Sequence, residues 1–140
     1  MSHKTGQIAV ESRGRGLLEI TPAIADWVRN TGIIEGVTTL FCRHTSASLT
    51  IQENADPDVR DDLERYFATI APESPGRYRH HLEGPDDMPA HIRAALTDVS
   101  LTIPVSEGRM MLGTWQGIYL FEHRTRAHRR TIALHLMGDT

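Results

Sequence analysis

Alternating apolar and polar residues predict β-strands along much of the chain, above all after residue 99. The clearest case is Thr131–Met137, where Ile132, Leu134 and Leu136 fall on one face and the residues between them on the other. By the same pattern, strands are predicted over Gln7–Ser12, Leu17–Ile20, Gly36–Arg43, Ala47–Gln52, Val99–Val105, Arg109–Leu112 and Trp115–Arg124. The turn-prone segment Arg13–Gly16 joins the first two of these strands.

Three further segments carry helix-start signals. Thr21-Pro22 offers a capping hydroxyl followed by a residue with a preset φ, and Asp56-Pro57 repeats the signal before apolar residues at helical spacing. Asp86-Asp87 would cap a third, shorter helix. Helices are therefore predicted from Thr21 to about Asn30, from Asp56-Pro57 to just before Pro72, and from Asp86-Asp87 to about Leu96. Without a linker or repeat, the chain reads as one α+β domain covering residues 1–140.

Composition bounds the class of protein. Hydrophobic residues make up 39% of 140 residues, somewhat below the usual share, so subunit contacts could complete part of the apolar surface. The net charge of −3 gives no nucleic-acid signature, although basic residues gather over Arg124–Arg130 as either a solvated hairpin or a local phosphate site. Cys42 is the single cysteine, which excludes an intrachain disulfide. With no signal region or membrane span, a cytoplasmic protein is expected.

Candidate chemistry begins at the end of the predicted strand Gly36–Arg43. His44, Thr45 and Ser46 combine an imidazole with hydroxyls and turn amides that could cradle a phosphate, although small polar residues also suit a plain turn. Glu53 and Asn54 follow the next strand. Because Asp56 accounts for the helix cap there, these two have no evident structural role and are candidate site residues.

A second group surrounds the start of the third helix. His80 and His91 are eleven residues apart, which fits no zinc-finger spacing. Only one of Asp86 and Asp87 can cap the helix, so the other carboxylate is free to act as a metal ligand, an orienting acceptor or a general base. For His91 the alternative interpretation, a helix-face histidine hydrogen-bonded to a neighbour, stays open.

A third group lies within the predicted strands after residue 112. Trp115 and Gln116 stand between glycines, where a backbone or ligand can approach closely, although Trp115 could instead fill the core. Glu122 and Arg124 share one face of a strand, either as a surface pair or as a charged couple aimed into a cleft.

Taken together, these segments resemble the YjbQ family, also called the secondary thiamine-phosphate synthase group. The resemblance rests on His44–Thr50, Glu53-Asn54 with Asp56-Pro57, Glu83-Gly84, Asp86–Pro89 with His91, Ile103-Pro104, Gly108-Arg109, Leu112–Gly117 and Glu122–Arg124. It implies a mostly antiparallel α+β domain with two main helices and one short helix, assembled as a homotrimer. It also implies a polar cleft with histidines near subunit boundaries.

Carried over residue by residue, the resemblance makes His44, His80 and His91 the expected ligands of a divalent metal, Zn²⁺ or Mg²⁺. The expected catalytic residues are Glu53 and Asp87, and the expected substrate-binding residues are Thr45, Ser46, Asn54, Trp115, Gln116 and Arg124. His81 falls outside this set. Because diphosphate-bound Mg²⁺ prefers oxygen ligands whereas three imidazoles suit a transition metal, the implied reaction conflicts in part with the implied site.

The implied reaction joins a pyrimidinylmethyl diphosphate to a thiazole phosphate and releases pyrophosphate, as a weak or secondary activity. Two alternatives stay open. One is a metal-dependent hydrolase of a small phosphorylated or acyl substrate, with Asp87 or Glu53 as base. The other is a trimeric module that binds a phosphorylated metabolite without turnover. In each case the expected partner is a small phosphorylated metabolite, with no nucleic acid and no membrane.

Overall fold

Two antiparallel β-sheets form the framework of the computed structural model, which describes residues 1–140. The strands are β1 (Ser2–Glu11), β2 (Gly16–Glu19), β3 (Glu35–Cys42), β4 (Ala47–Glu53), β5 (Ser100–Ser106), β6 (Arg109–Met110), β7 (Gln116–Glu122) and β8 (Arg129–Asp139). The larger sheet has the order β1-β8-β3-β5-β6, and the smaller one has the order β2-β7-β4. The predicted α+β fold with mostly antiparallel pairing is confirmed.

β8 is the longest strand and lies between β1 and β3 in the larger sheet. Its alternation has the predicted consequence, because Ile132, Leu134 and Leu136 are all buried in a single core of apolar residues from both sheets and the first helix. Near the end of the strand Gly138 faces Gly36 so closely that a Cβ on Gly138 would lie 1.9 Å from the Glu35 carbonyl oxygen. A larger residue cannot replace this glycine without moving backbone.

The helices are α1 (Thr21–Asn30), α2 (Pro57–Ile70) and α3 (Asp87–Leu96), close to the predicted bounds. Asp56 caps α2 as expected by accepting from the Asp58 amide. The expected cap at Thr21 is wrong: Thr21 Oγ1 donates to Glu19 and accepts from the Ile118 amide, so it ties α1 to the smaller sheet. None of the three helices combines the length and the apolar character needed to cross a bilayer.

The first two strands lie in different sheets, because β1 pairs with β8 and β2 pairs with β7. Two glycines with positive φ lie where the chain passes from one strand to the other: Gly14 in the connection and Gly16 at the start of β2. These conformations are open to glycine at little steric cost, and here they redirect the chain from one sheet to the other. The Arg13–Gly16 segment therefore links two sheets rather than closing a hairpin.

Glu122 was expected to pair with Arg124, either at the surface or in a cleft. It forms a buried ion pair with a different arginine instead. Its side chain is fully buried and pairs with Arg130, while Ser12 Oγ donates to Glu122 Oε1 over 2.6 Å. The Arg124 side chain points elsewhere, and Arg129 pairs with Glu11 at the surface. The Arg124–Arg130 segment is therefore not a solvated hairpin: it crosses between sheets and buries one of its arginines.

Candidate metal centre

Four potential metal ligands converge at the start of α3. His80 and Glu83 come from the irregular segment before the helix, and Asp87 and His91 lie one helical turn apart on one face of it. One ligand atom from each of the four lies within 4.8 Å of those of the others. Asp87 Oδ2 lies 2.5 Å from His80 Nε2 and 3.1 Å from His91 Nε2, and Glu83 Oε2 lies 3.3 Å from His80 Nε2. The group holds two imidazoles and two carboxylates.

The orientation of the His91 ring is the most informative contact. His91 Nδ1 lies 3.1 Å from the carbonyl oxygen of Thr45, which can only accept, so Nδ1 carries a proton. In the neutral ring Nε2 then presents a lone pair, and it faces the Asp87 carboxylate. Two acceptors repel each other unless a proton or a cation lies between them. A backbone carbonyl that holds Nδ1–H is also the usual outer partner of a metal-binding histidine.

The electrostatics favour a divalent cation. Arg124 pairs with the carboxylates of Asp86 and Asp87, whereas the Glu83 carboxylate pairs only with His80. With neutral imidazoles, these three carboxylates and one guanidinium carry a net charge of −2. The hydrogen bond to Asp87 raises the pKa of His80. Burial opposes ionisation of Asp87, but the hydrogen bond from His80 and the nearby charge of Arg124, among other contributions, together lower the pKa of this carboxyl. Two imidazoles with carboxylate suit Zn²⁺ or another transition metal better than Mg²⁺, which prefers oxygen ligands alone.

Arg124 holds the residues at the start of α3 in place. Its Nε donates to Asp86 Oδ2 (2.9 Å), its Nη1 lies 2.9 Å from Asp87 Oδ1, and its Nη2 donates to the Glu83 carbonyl oxygen (2.9 Å). Asp86 makes no capping bond and instead accepts from the Thr125 amide. Most donors of Arg124 therefore hold the start of α3, and its expected role in binding substrate stays a prediction.

The ion pair at Asp86 predicts a pH dependence. Burial alone would raise the pKa of Asp86, but hydrogen bonds from Arg124 and the Thr125 amide hold it well below its usual value. The stabilisation is thus present above about pH 4 and is lost as the pH falls below that. We expect Asp86→Asn to lower the free energy of unfolding by about 2 kcal/mol at pH 7, with the difference shrinking below pH 4, in urea titrations. Asp26→Asn removes an exposed partner of Arg29 and should leave stability nearly unchanged; equal losses in both variants would contradict the account.

A cavity of about 410 Å³ adjoins the group, in the size range of small-ligand pockets. It is lined by Ser74, Pro75, Gly76, Tyr78, His80, His81, Gly84 and Pro85. No carboxylate lines it. Sequence reasoning left His81 out and did not single out Tyr78; their only signal was their place next to His80 in a segment without periodicity.

Another part of the expected site lies elsewhere. β4 and β7 pair so that Ala47 faces Glu122 at one end and Glu53 faces Gln116 at the other. These ends are six residues apart, about 20 Å along an extended strand. Glu53, Asn54, Trp115 and Gln116 gather at the far end, where Asn54 donates to the Gln116 carbonyl oxygen and Trp115 is 63% exposed. Within one chain these residues do not meet the cluster at α3.

Glu53 also has a structural role that the sequence did not reveal. Its Oε2 accepts from the amides of Ala55 and Asp56, which shapes the turn before α2. The expectation that Glu53 has no structural role is therefore wrong, because side-chain bonds to backbone amides depend on how the turn folds. Its expected catalytic role stays a prediction. Gln116 is likewise engaged, since its Oε1 accepts from the Gly113 amide.

The turn after β3 accepts hydrogen bonds from neighbouring residues through its backbone carbonyl oxygens rather than through its hydroxyls. His44 lies outside the four-residue group, and its Nε2 accepts from the Thr131 amide over 2.8 Å. Burial and nearby Arg130 lower the pKa of His44. The carbonyl of Thr45 holds His91, and that of Ser46 accepts from the His123 amide and from Arg130. The structure thus brings His80, Asp87 and His91 together but not His44. Thr45 and Ser46 line a separate pocket with Arg43 and His44, and their expected role in substrate binding stays a prediction.

Comparison with known proteins identifies the family. A family model described as UPF0047 protein YjbQ-like matches residues 6–139. The chain belongs to the YjbQ-like UPF0047 family. A UPF0047 protein of Synechocystis sp. is 51% identical to this UPF0047 chain over 132 residues, which cover 94% of this chain and 90% of the relative.

Other relatives match the UPF0047 chain along nearly its whole length. The UPF0047 protein YjbQ of Escherichia coli O157:H7 is 45% identical over 139 residues, covering 97% of both proteins. A crystal structure of an uncharacterised yjbq/upf0047 family protein from Clostridium acetobutylicum superposes with a TM-score of 0.85 at 33% identity, covering 94% of this chain and 98% of that one. The predicted family and fold are confirmed.

Proposed function

We propose that this UPF0047 chain is a metal-dependent hydrolase that acts on a small phosphorylated substrate. His80, Asp87 and His91 hold one divalent transition-metal ion, and the cavity beside His80 receives the substrate. The observation that supports this most strongly is the His91 ring, whose Nδ1–H is fixed by the Thr45 carbonyl so that Nε2 faces Asp87. That arrangement suits a cation between the two atoms.

A divalent ion at this position supplies Lewis-acid activation of water or of a phosphoryl oxygen. The side chains of the protein supply the rest. Asp87, of which only 4% of the side chain is exposed, anchors the group and is itself held by Arg124. Glu83 is 66% exposed in its side chain and is not paired with an arginine through its carboxylate. We assign Glu83 as the general base: it accepts the proton of the water that attacks phosphorus, and the ester oxygen leaves.

The surroundings of the cavity support an anionic substrate. No carboxylate lines it, and the exposed Arg77 and Arg79 flank Tyr78 on the same segment. A second cavity, of about 480 Å³, lies next to the same Gly84-Pro85 stretch but is lined by Glu73, Glu83 and Asp86 as well as by cations. A phosphate group would meet less repulsion in the first cavity.

A panel of small phosphate monoesters and diphosphates tests the proposal. The chain reconstituted with Zn²⁺, Mn²⁺ or Co²⁺ should release inorganic phosphate from at least one of them, and a chelator should stop the reaction. Glu83→Gln should lower kcat by roughly a hundredfold while leaving metal bound. No phosphate release from any compound with any metal would overturn the substrate class, and full activity in Glu83→Gln would overturn the assigned base.

The reaction implied by the resemblance, thiamine phosphate formation, is proposed as a secondary activity of the same centre. One observation favours it: Tyr78 offers an aromatic surface in a cavity next to the metal ligands, where a pyrimidine could lie while the metal binds the diphosphate. The expected aromatic wall, Trp115, lies at the far end of β7, so hydrolysis is the leading proposal. With both precursors present, thiamine phosphate should form more slowly than phosphate is released. If thiamine phosphate forms faster, its synthesis becomes the leading proposal and hydrolysis the secondary one.

The homotrimer implied by the resemblance is also a proposal. The outer face of the larger sheet exposes Val37, Phe41 and Met137, which would gain from subunit contact. We expect sedimentation at micromolar concentration to give three times the mass of one chain, and Phe41→Glu to lower it. A monomer in the unsubstituted protein would contradict the trimer.

A further inference from the structure

A buried chain of hydrogen bonds links the end of α3 to the end of β7. Thr97, directly after the helix, donates from Oγ1 to the carbonyl oxygen of Arg93 over 2.8 Å. Thr97 Oγ1 also lies 2.6 Å from Ser48 Oγ, and Ser48 Oγ lies 2.8 Å from His123 Nε2. Ser48 and His123 are both buried. These hydrogen bonds therefore join the helix to two strands of the smaller sheet, and the bond between Ser48 and His123 is buried.

The direction of every bond in this chain follows from counting protons. Thr97 uses its single hydroxyl proton on the Arg93 carbonyl, so Ser48 must donate to Thr97. Ser48 has then used its own proton, so His123 Nε2 must donate to Ser48. Burial, reinforced by nearby Arg93, lowers the pKa of His123 to about 3, which keeps the ring neutral at neutral pH. His123 is thus held in the tautomer that carries its proton on Nε2.

This direction excludes one role and favours another. Ser48 cannot be a nucleophile activated by His123, because the proton of Ser48 points to Thr97 and the imidazole donates rather than accepts. The chain instead fixes the position of the helix. Arg93 also holds α3 in place, because its fully buried guanidinium donates from Nη1 to Glu64 of α2 over 2.8 Å.

Two consecutive residues hold the two ends of α3. Arg124 binds Asp86 and Asp87 at the first turn, while His123 reaches Thr97 at the last turn through Ser48. The ten-residue helix is about 15 Å long. Of the two metal-ligand candidates on the helix, Asp87 is held directly by Arg124, and His91 lies between the two attachments. A small rotation or slide of α3 would move both candidates away from His80.

We infer that His123 is a positioning residue for the metal centre: through Ser48 and Thr97 it fixes the C-terminal end of α3 so that Asp87 and His91 face His80. The inference rests on the proposed function, because it assigns the metal to that group. His123 does not contact any of the four ligand candidates. Its effect is expected on metal affinity and on the order of the helix rather than on the chemical step.

Two substitutions at His123 separate positioning from simple loss of a buried ring. Glutamine places an N–H donor where Nε2 stands, and asparagine places an amide only near Nδ1, too short to reach Ser48. Affinity for Co²⁺ would be measured on the full chain by competition with a chromophoric chelator. We expect His123→Asn and Ser48→Ala to weaken Co²⁺ binding by about tenfold, as changes beyond the first ligands commonly do. His123→Gln should stay within about threefold of the unsubstituted chain.

A core variant controls for lost stability. Ile24 of α1 is fully buried away from the centre, and Ile24→Ala should destabilise the fold without changing Co²⁺ affinity. Full affinity in His123→Asn, equal losses in His123→Gln and His123→Asn, or a similar loss in Ile24→Ala would each overturn the inference. If the unsubstituted chain bound no Co²⁺, the proposed function would fail. Amide hydrogen exchange would then decide the positioning role: faster exchange in α3 than in α1 for His123→Asn supports it, and unchanged exchange overturns it.

Discussion

His91→Ala is expected to weaken binding of Zn²⁺ or Co²⁺ by roughly a hundredfold or more. The substitution removes an imidazole nitrogen that faces Asp87 and also the Nδ1–H bond that anchors the ring to the Thr45 carbonyl. Because Asp87 and His80 stay in place, residual weak binding is expected rather than none. Metal affinity is measured by competition with a chromophoric chelator, and for Co²⁺ also by the visible absorption that tetrahedral coordination produces.

His81→Ala is the matched control for that experiment. His81 is the sequence neighbour of His80 and lines the same cavity, but its Nδ1 bonds to the Arg79 carbonyl and it is outside the four-residue group. It should keep full metal affinity. Equal affinity in His91→Ala and the unsubstituted chain would show that the imidazole of His91 is not a ligand.

Arg130→Met is expected to cost about 3–5 kcal/mol of the free energy of unfolding. The guanidinium is the ionic partner of Glu122, whose side chain is 1% exposed. Without it a buried carboxylate would keep only Ser12 and backbone amides as partners, and water cannot reach it. Urea titration at pH 7 with linear extrapolation measures the loss.

The neighbouring Arg129→Met supplies the comparison. Arg129 pairs with Glu11 at a similar distance, but both side chains are about 70% exposed. An exposed pair of this kind contributes about 0–1 kcal/mol. Similar losses in the two variants would contradict the assignment of Arg130 and Glu122 as the buried electrostatic anchor of this end of the fold.

Much of the fold could be predicted because its signals are local. The alternation of β8 and the proline-marked starts of α1 and α2 depend only on neighbouring residues, and the structure confirms them. The assignment of strands to two sheets could not be predicted, since alternation shows which residues face the core but not which strand lies alongside. The crossing at Gly14 and Gly16 is one consequence: a glycine-rich turn predicts a change of direction without saying where the chain goes.

The candidate site, too, could be predicted only in part. Asp87 and His91 are four residues apart, so the helix places them on one face. The sequence pattern alone left both roles open, and the family resemblance is what favoured these two residues. His44 lies one residue past a strand, and only the fold shows that its Nε2 accepts from the Thr131 amide. Trp115 and Gln116 are expected in the same cleft because of the glycines around them and the family resemblance, neither of which says which end of the sheet they occupy. An extended strand instead carries them to the other end of the sheet.

The central claim is that His80, Asp87 and His91 hold one divalent ion. Anomalous diffraction at the zinc edge, from crystals of protein purified without chelators and supplied with Zn²⁺, tests it directly. We predict one strong peak per chain, with His80 Nε2, Asp87 Oδ2 and His91 Nε2 each about 2.0–2.2 Å from it. A peak at His44 instead, or none at α3 in zinc-supplied crystals, would contradict the claim.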